Sequence, residues 1–140
     1  MFTPSAYRAS SAYKRVGVDT TVPGADSHRL VQMLFDEALE SISAARGAMQ
    51  RREIPAKCAL IGKALRIVDE GLRASLNTER GGELAGNLNS LYTYCAQKLM
   101  LANARNDEAL LIEVRELLEP VAQAWRAISP AALAAQAADA

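Results

Sequence analysis

The sequence has 140 residues, half of them apolar but only 5% aromatic, with 16 Lys and Arg balanced by 16 Asp and Glu. That length suits a single domain, and 27 alanines beside so few aromatics favour packed helices over a sandwich or barrel of short strands. A net charge of zero argues against nucleic acid as a partner, because binding through phosphates needs a surplus of basic side chains.

The charge is unevenly spread: residues 1–80 carry 12 basic and 9 acidic groups, a balance of +3, and residues 81–140 carry 4 and 7, a balance of −3. Solvated helical faces account for this mild asymmetry. The first sixteen residues lack the apolar run of a secretory signal, and no stretch of about 20 apolar residues is available for membrane insertion, so a cytoplasmic protein is expected. Cys58 and Cys95 have no CxxC spacing and fall at apolar positions of helical patterns, which reads as two buried thiols.

Residues 1–25 are rich in Ser, Ala, Thr and Gly, with Pro4 and Pro23 and scattered apolar side chains, which predicts an extended arm. Asp26 then suits the N-cap of a first helix from Ser27, where Val31, Leu34, Ala38, Ile42, Ala45 and Met49 recur at helical spacing. Arg51, Arg52 and Glu53 interrupt that stripe. Pro55 fits the first turn of a second helix running to about Asn77.

Gly81 and Gly82 break the chain before a third helix marked by Leu84, Leu88, Leu91, Cys95, Leu99 and Ala102. A turn over Asn103 to Asp107, with Asn106 or Asp107 as cap, leads into a fourth helix carrying Leu110, Val114, Leu117, Val121, Trp125 and Ile128. Pro120 lies inside it and predicts a bend near Glu116. Four helices joined by short connections predict an all-α, antiparallel up-and-down four-helix bundle over residues 26–130, preceded by the arm of residues 1–25 and followed by a loosely held Ala-rich tail, 131–140.

Three helices carry more apolar surface than one bundle stripe requires. On the second, Leu60, Ala64, Ile67 and Gly71 lie beside a stripe of Cys58, Ile61, Leu65, Val68, Leu72 and Leu76. Leu111, Leu118 and Ala122 adjoin the fourth helix's stripe, and Ala85, Tyr92 and Ala96 that of the third. The surplus has three readings: a face covered by the arm, a face covered by a second copy, or a groove for a foreign amphipathic segment.

Catalytic and metal-binding patterns do not emerge. The single histidine, His28, falls in the first turn of the first helix, where a solvated or cap-adjacent place is expected, and one His cannot supply the paired Glu-x-x-His of a di-iron bundle. Asp36–Glu37 and Asp69–Glu70 are helix neighbours pointing apart. Gly81–Gly82 lacks the strand and Lys-Ser/Thr of a phosphate loop. No cofactor or enzymatic activity is expected. Tyr92 and Tyr94 fall on different faces, one at the core edge and one exposed, and Trp125 reads as a core plug whose indole N–H reaches a polar edge.

Several runs taken together resemble the flagellin-specific export chaperones of the FliS family. They are Tyr13 to Val18, ADSHRLVQMLFDEAL (Ala25 to Leu39), KALRIVDEGLRASL (Lys63 to Leu76), ERGGELAGNLNSLYTY (Glu79 to Tyr94), LANARND (Leu101 to Asp107) and AWRAISP (Ala124 to Pro130). The resemblance covers about residues 1 to 130, with its motifs in order.

It implies a cytosolic helical bundle that binds the C-terminal segment of flagellin, prevents its premature polymerisation and helps present it, bound, to the flagellar export gate. It further implies an N-terminal arm that packs on the bundle without substrate and moves when substrate binds. Two positions depart from the family pattern: Ser27 stands where Pro is usual, and Pro120 interrupts the fourth helix.

On this reading the partner-binding residues are Tyr13 and Val16 in the arm and Leu60, Ile67 and Leu72 on the second helix. Asn87, Leu91 and Tyr92 on the third helix and Leu111 and Leu118 on the fourth complete the set. The alternative function is a regulatory adaptor that sequesters another cytosolic flagellar or transcription-control protein through the same groove.

Overall fold

A computed structural model describes residues 27–76 and 81–128, within which four helices follow one another and no strand occurs. Helix α1 spans Ser27–Gln50. Helix α2 spans Ile54–Arg66 and continues without a break into a π-helical stretch, Ile67–Leu72. Helix α3 spans Gly82–Arg105 and α4 spans Glu108–Ala127. The arm, Asp26, Asn77 and the Ala-rich tail lie outside the described residues.

Each helix packs on its neighbours in sequence, and α4 closes the ring on α1. The side-chain bonds fix the directions. Arg46, late in α1, pairs with Glu108 at the start of α4, whereas His28 at the start of α1 bonds Trp125 at the end of α4. Lys57, early in α2, reaches Asn103, late in α3. Neighbouring helices therefore run antiparallel, as the short connections require.

Both connections described at residue level solve the problem of unpaired helix-end groups locally. At the end of α1, Arg52 adopts a left-handed backbone with φ 59°, so that its N–H bonds Met49 O at 3.1 Å and the Glu53 N–H bonds Ala48 O at 2.9 Å. This is a Schellman closure carried by a residue with a Cβ in place of the usual glycine. Between α3 and α4, Asn106 takes the left-handed position (φ 50°) and Asp107 caps α4 by accepting from Ala109 N at 3.0 Å. Asparagine tolerates that conformation, so the two-residue turn is economical. Pro55 occupies the first turn of α2 as expected.

The wide apolar face of α2 is absorbed by the π-helical stretch. There the Arg73 N–H bonds Val68 O, five residues back, at 3.0 Å. Along it and just beyond, neighbouring pairs lie on the core side: Ile67 with Val68, Gly71 with Leu72, and Ser75 with Leu76 are all buried. Most of both apolar stripes thus enters the core, with Leu60 and Leu65 partly buried at its edge, and this corrects the reading of Ile67 and Leu72 as partner-facing residues.

The same correction applies to Tyr92, Leu111 and Leu118, all at 0% exposure within one core cluster. On α3 the inward face is Ala85, Tyr92, Cys95, Ala96, Leu99 and Ala102, and on α4 it is Leu111, Val114, Leu118, Ala122 and Trp125. Leu84, Leu88, Leu110, Leu117, Val121 and Ile128, expected inside, are partly or fully exposed, as is Leu91, which was expected to meet a partner. Both stripes have helical spacing, so periodicity does not choose between them. Small side chains at several inward positions let the helices approach closely, and the bulkier leucines are displaced to the flanks.

Three further expectations change. Cys58 is exposed, not buried. His28 is buried at 7% exposure instead of solvated. Lys57, at an otherwise apolar face of α2, buries its stem and donates from Nζ to the Asn103 backbone oxygen at 3.0 Å and to Oδ1 at 2.9 Å. It thereby satisfies a carbonyl in the last turn of α3 with a cation suited to that end of the helix dipole. Helix α4 runs unbroken through Pro120, whose ring lies on the exposed side, as does Glu116.

Two stability measurements follow. Replacing Arg52 by glycine relieves the left-handed Cβ clash and raises the unfolding free energy by about 1 kcal/mol in urea denaturation. Ile67→Asp puts an unpaired charge into the core and lowers it by about 3 kcal/mol or more, enough to unfold the chain or shift its midpoint strongly.

Candidate functional site

The outward leucine row defines an apolar cleft between the first half of α3 and the second half of α4. Leu84 and Leu88 form its α3 wall. Pro120, Val121 and Ala124 form the α4 wall, continued by Ile128 just beyond the helix end. Phe35 of α1 and Trp125, both nearly buried, form the floor. The cavity measures about 300 Å³ and its lining is apolar almost throughout. Leu84 is 52% exposed and Ile128 36%, a high fraction for such side chains.

Sequence dictates this geometry in two ways. Gly82 begins α3 with φ 60°, a conformation suited to glycine, so the helix starts two residues before Leu84. At the far wall, the backbone turns extended at Ile128 (φ −80°, ψ 124°), which ends α4 and leaves that side chain at the cleft mouth. The antiparallel alignment continues the apolar row away from the cavity, with partly exposed Leu91 on α3 and Leu117 on α4.

The row ends in a polar cross-link, Tyr94 Oη donating to Glu113 Oε2 at 2.6 Å. That hydrogen bond is the main reason the Tyr94 phenol lies above its ordinary pKa. Lys98 stands over the Tyr94 ring at 5.1 Å.

The floor is held from behind. Trp125 Nε1–H donates to the His28 backbone oxygen and His28 Nε2–H donates to the Trp125 backbone oxygen, each at 2.9 Å. The two rings stack with centroids 4.9 Å apart. The indole N–H thus reaches a polar group, as expected of a buried Trp. Neither this reciprocal clasp nor the role of His28 was visible from the sequence. Only the place of His28 in the first turn of α1 and of Trp125 in the last turn of α4 could have suggested that the two meet.

Of the residues expected to bind a partner, the structure brings only Leu91 and Asn87 to this side of the bundle: Leu91 continues the apolar row, and Asn87 is exposed beside Leu88. Leu60 is half-buried on α2 and does not line the cleft. Tyr13 and Val16 lie outside the described residues.

Among the described residues no group of three His, Cys, Asp or Glu side chains is placed to hold a metal ion, and no helix is long and apolar enough to cross a membrane. Burial, reinforced by the negative charge of Glu113, pushes the Cys95 thiol up to about 12. It is held neutral and inward. The arrangement offers contact surface.

A sequence profile described as "Flagellar protein FliS" matches residues 9–132. The chain is 48% identical over 124 residues to flagellar secretion chaperone FliSB of Pseudomonas aeruginosa, covering 89% of this chain and 98% of that protein. Over 132 residues it is 42% identical to flagellar secretion chaperone FliS of Salmonella typhimurium, covering 94% and 96%. The corresponding Bacillus subtilis chaperone is 31% identical over 116 residues, covering 83% and 82%.

The two cysteines provide a check on this geometry. At neutral pH a thiol reagent labels Cys58 in the native protein, and Cys95 only after unfolding. Because Cys95 keeps its proton in the folded state to about pH 12 while the unfolded thiol loses it near pH 9, its contribution to stability is complete below pH 9 and falls as pH rises toward 12. Urea midpoints measured across that window show the decline, and Cys95→Ala reduces it.

Proposed function

The chain belongs to the FliS family of flagellar secretion chaperones, and from that premise we propose that its cargo is the C-terminal segment of flagellin, seated along the α3–α4 cleft. The observation that carries this reading is the exposed leucine row opening on an uncharged cavity. The protein acts by binding, without catalysis, in the cytoplasm. It keeps the segment from polymerising early and presents it, still bound, to the flagellar export gate. Residues 1–25 act as a competing cover of the apolar surface.

Magnitudes favour a row over a single pocket. Ordering a segment that is unfolded by itself costs about 2–5 kcal/mol, and a fully buried Leu or Val side chain returns about 1.5–3 kcal/mol. Leu84, Leu88, Leu91, Leu117, Val121 and Ile128 are already partly covered, so each gains only part of that amount. Several together exceed the ordering cost modestly. Modest net affinity suits a carrier that must release its cargo.

Titrating a flagellin C-terminal peptide by calorimetry tests the reading. Leu84→Asp should weaken binding at least about tenfold, while leaving the melting temperature within a degree or two of wild type because Leu84 lies at the surface. A chain lacking residues 1–18 should bind more tightly. No binding by the wild-type chain, or full binding by Leu84→Asp, would remove the cleft from the account.

A further inference from the structure

We infer that His28 is a positioning residue for the cleft: its imidazole backs the Trp125 indole and fixes it as a rigid wall for the incoming segment. The inference rests on the proposed use of the cleft as a binding surface.

Among the described residues, His28 makes three contacts with Trp125. The indole N–H donates to the His28 backbone oxygen at 2.9 Å, the indole face is covered by the His28 ring at 4.9 Å with an interplanar angle of 18°, and the Trp125 backbone oxygen accepts from His28 Nε2–H at 2.9 Å. A carbonyl only accepts, so the imidazole proton sits on Nε2.

The same Trp125 oxygen also accepts from Ile128 N–H at 3.1 Å. Trp125 and Ile128 both line the cleft. His28 therefore steadies two lining residues without lining the cavity itself.

The backing ring and the backbone bond are separable. The bond from the indole to the His28 oxygen survives any substitution at that position. Removing the ring leaves a void behind the indole, which then has room to move away from the cavity and loosen its wall. Phenylalanine restores the ring without the Nε2 bond, and glutamine offers a donor without the ring.

Trp125 is the sole tryptophan of the chain, so its fluorescence reports on this site alone. The test measures acrylamide quenching of the free full-length His28→Ala, His28→Gln and His28→Phe proteins, then their affinity for a tryptophan-free flagellin C-terminal peptide. Positioning by the ring predicts that Ala and Gln raise the quenching constant about twofold and weaken the peptide about tenfold, while Phe keeps both within about twofold of wild type.

A purely structural role would make affinity follow thermal stability, with Phe as weak as Ala; that pattern, or equal quenching in all four proteins, overturns the inference. Should the wild-type chain ignore the peptide, the proposed cargo is wrong, and the quenching comparison, made without peptide, still decides whether the ring holds the wall.

Discussion

Close packing of small side chains across α3 and α4 is the constraint from which the rest of the structure follows. Ala85, Cys95, Ala96, Ala102 and Ala122 are all buried, and their low bulk brings the helices near enough for larger partners such as Leu99, Leu111 and Leu118 to fill the remaining space. A protein interior tolerates few voids and little overpacking. Once the inner positions are filled in this way, the second apolar stripe of each helix has no place in the core. It lies on the flank, and the cleft is the gap between those flanks.

The ends of the bundle are secured by polar groups borrowed from neighbouring helices. Lys57 covers the end of α3, His28 covers the end of α4, and Asp107 caps the start of α4 from within its own turn. Lys57 and Asp107 each pair a helix-end backbone group, a bond worth about 1 kcal/mol, while His28 adds a second donor to the Trp125 oxygen that Ile128 N–H already bonds. The ion pairs between helices, such as Arg46–Glu108 and Arg126–Asp36, are partly exposed and contribute less. The bundle is therefore fastened mainly by packing along its length and by backbone satisfaction at its ends. The clasp at the end of α4 is also the floor of the cleft, so one interaction serves both fold and site.

The helices, their order and most of their boundaries were legible because helical spacing, Pro55, the paired glycines and Asp107 act locally. The buried lysine was not, because Lys57 matters only when Asn103 is brought beside it from 46 residues away. The same holds for His28 and Trp125, 97 residues apart. On α3 and α4 apolar side chains do remain outside the core, but which stripe they belong to was not legible. Stripes such as Leu84–Leu88–Leu91 and Ala85–Tyr92–Ala96 share one period, and only the volume available between packed helices decides which turns inward. On α2, Ile67 shares the helical spacing of the buried Ile61 and Ala64, so the same ambiguity of side applied to it.

For the proposed cargo binding, the displaced leucine row offers apolar surface spread along two helices without disturbing the core. The most direct test is to follow the leucine and valine methyl resonances while a flagellin C-terminal peptide is added. The account predicts that Leu84, Leu88, Leu91, Leu117 and Val121 shift while Leu99, Leu111 and Leu118 stay in place. Shifts confined to α2, or carried mainly by the buried leucines, would contradict it.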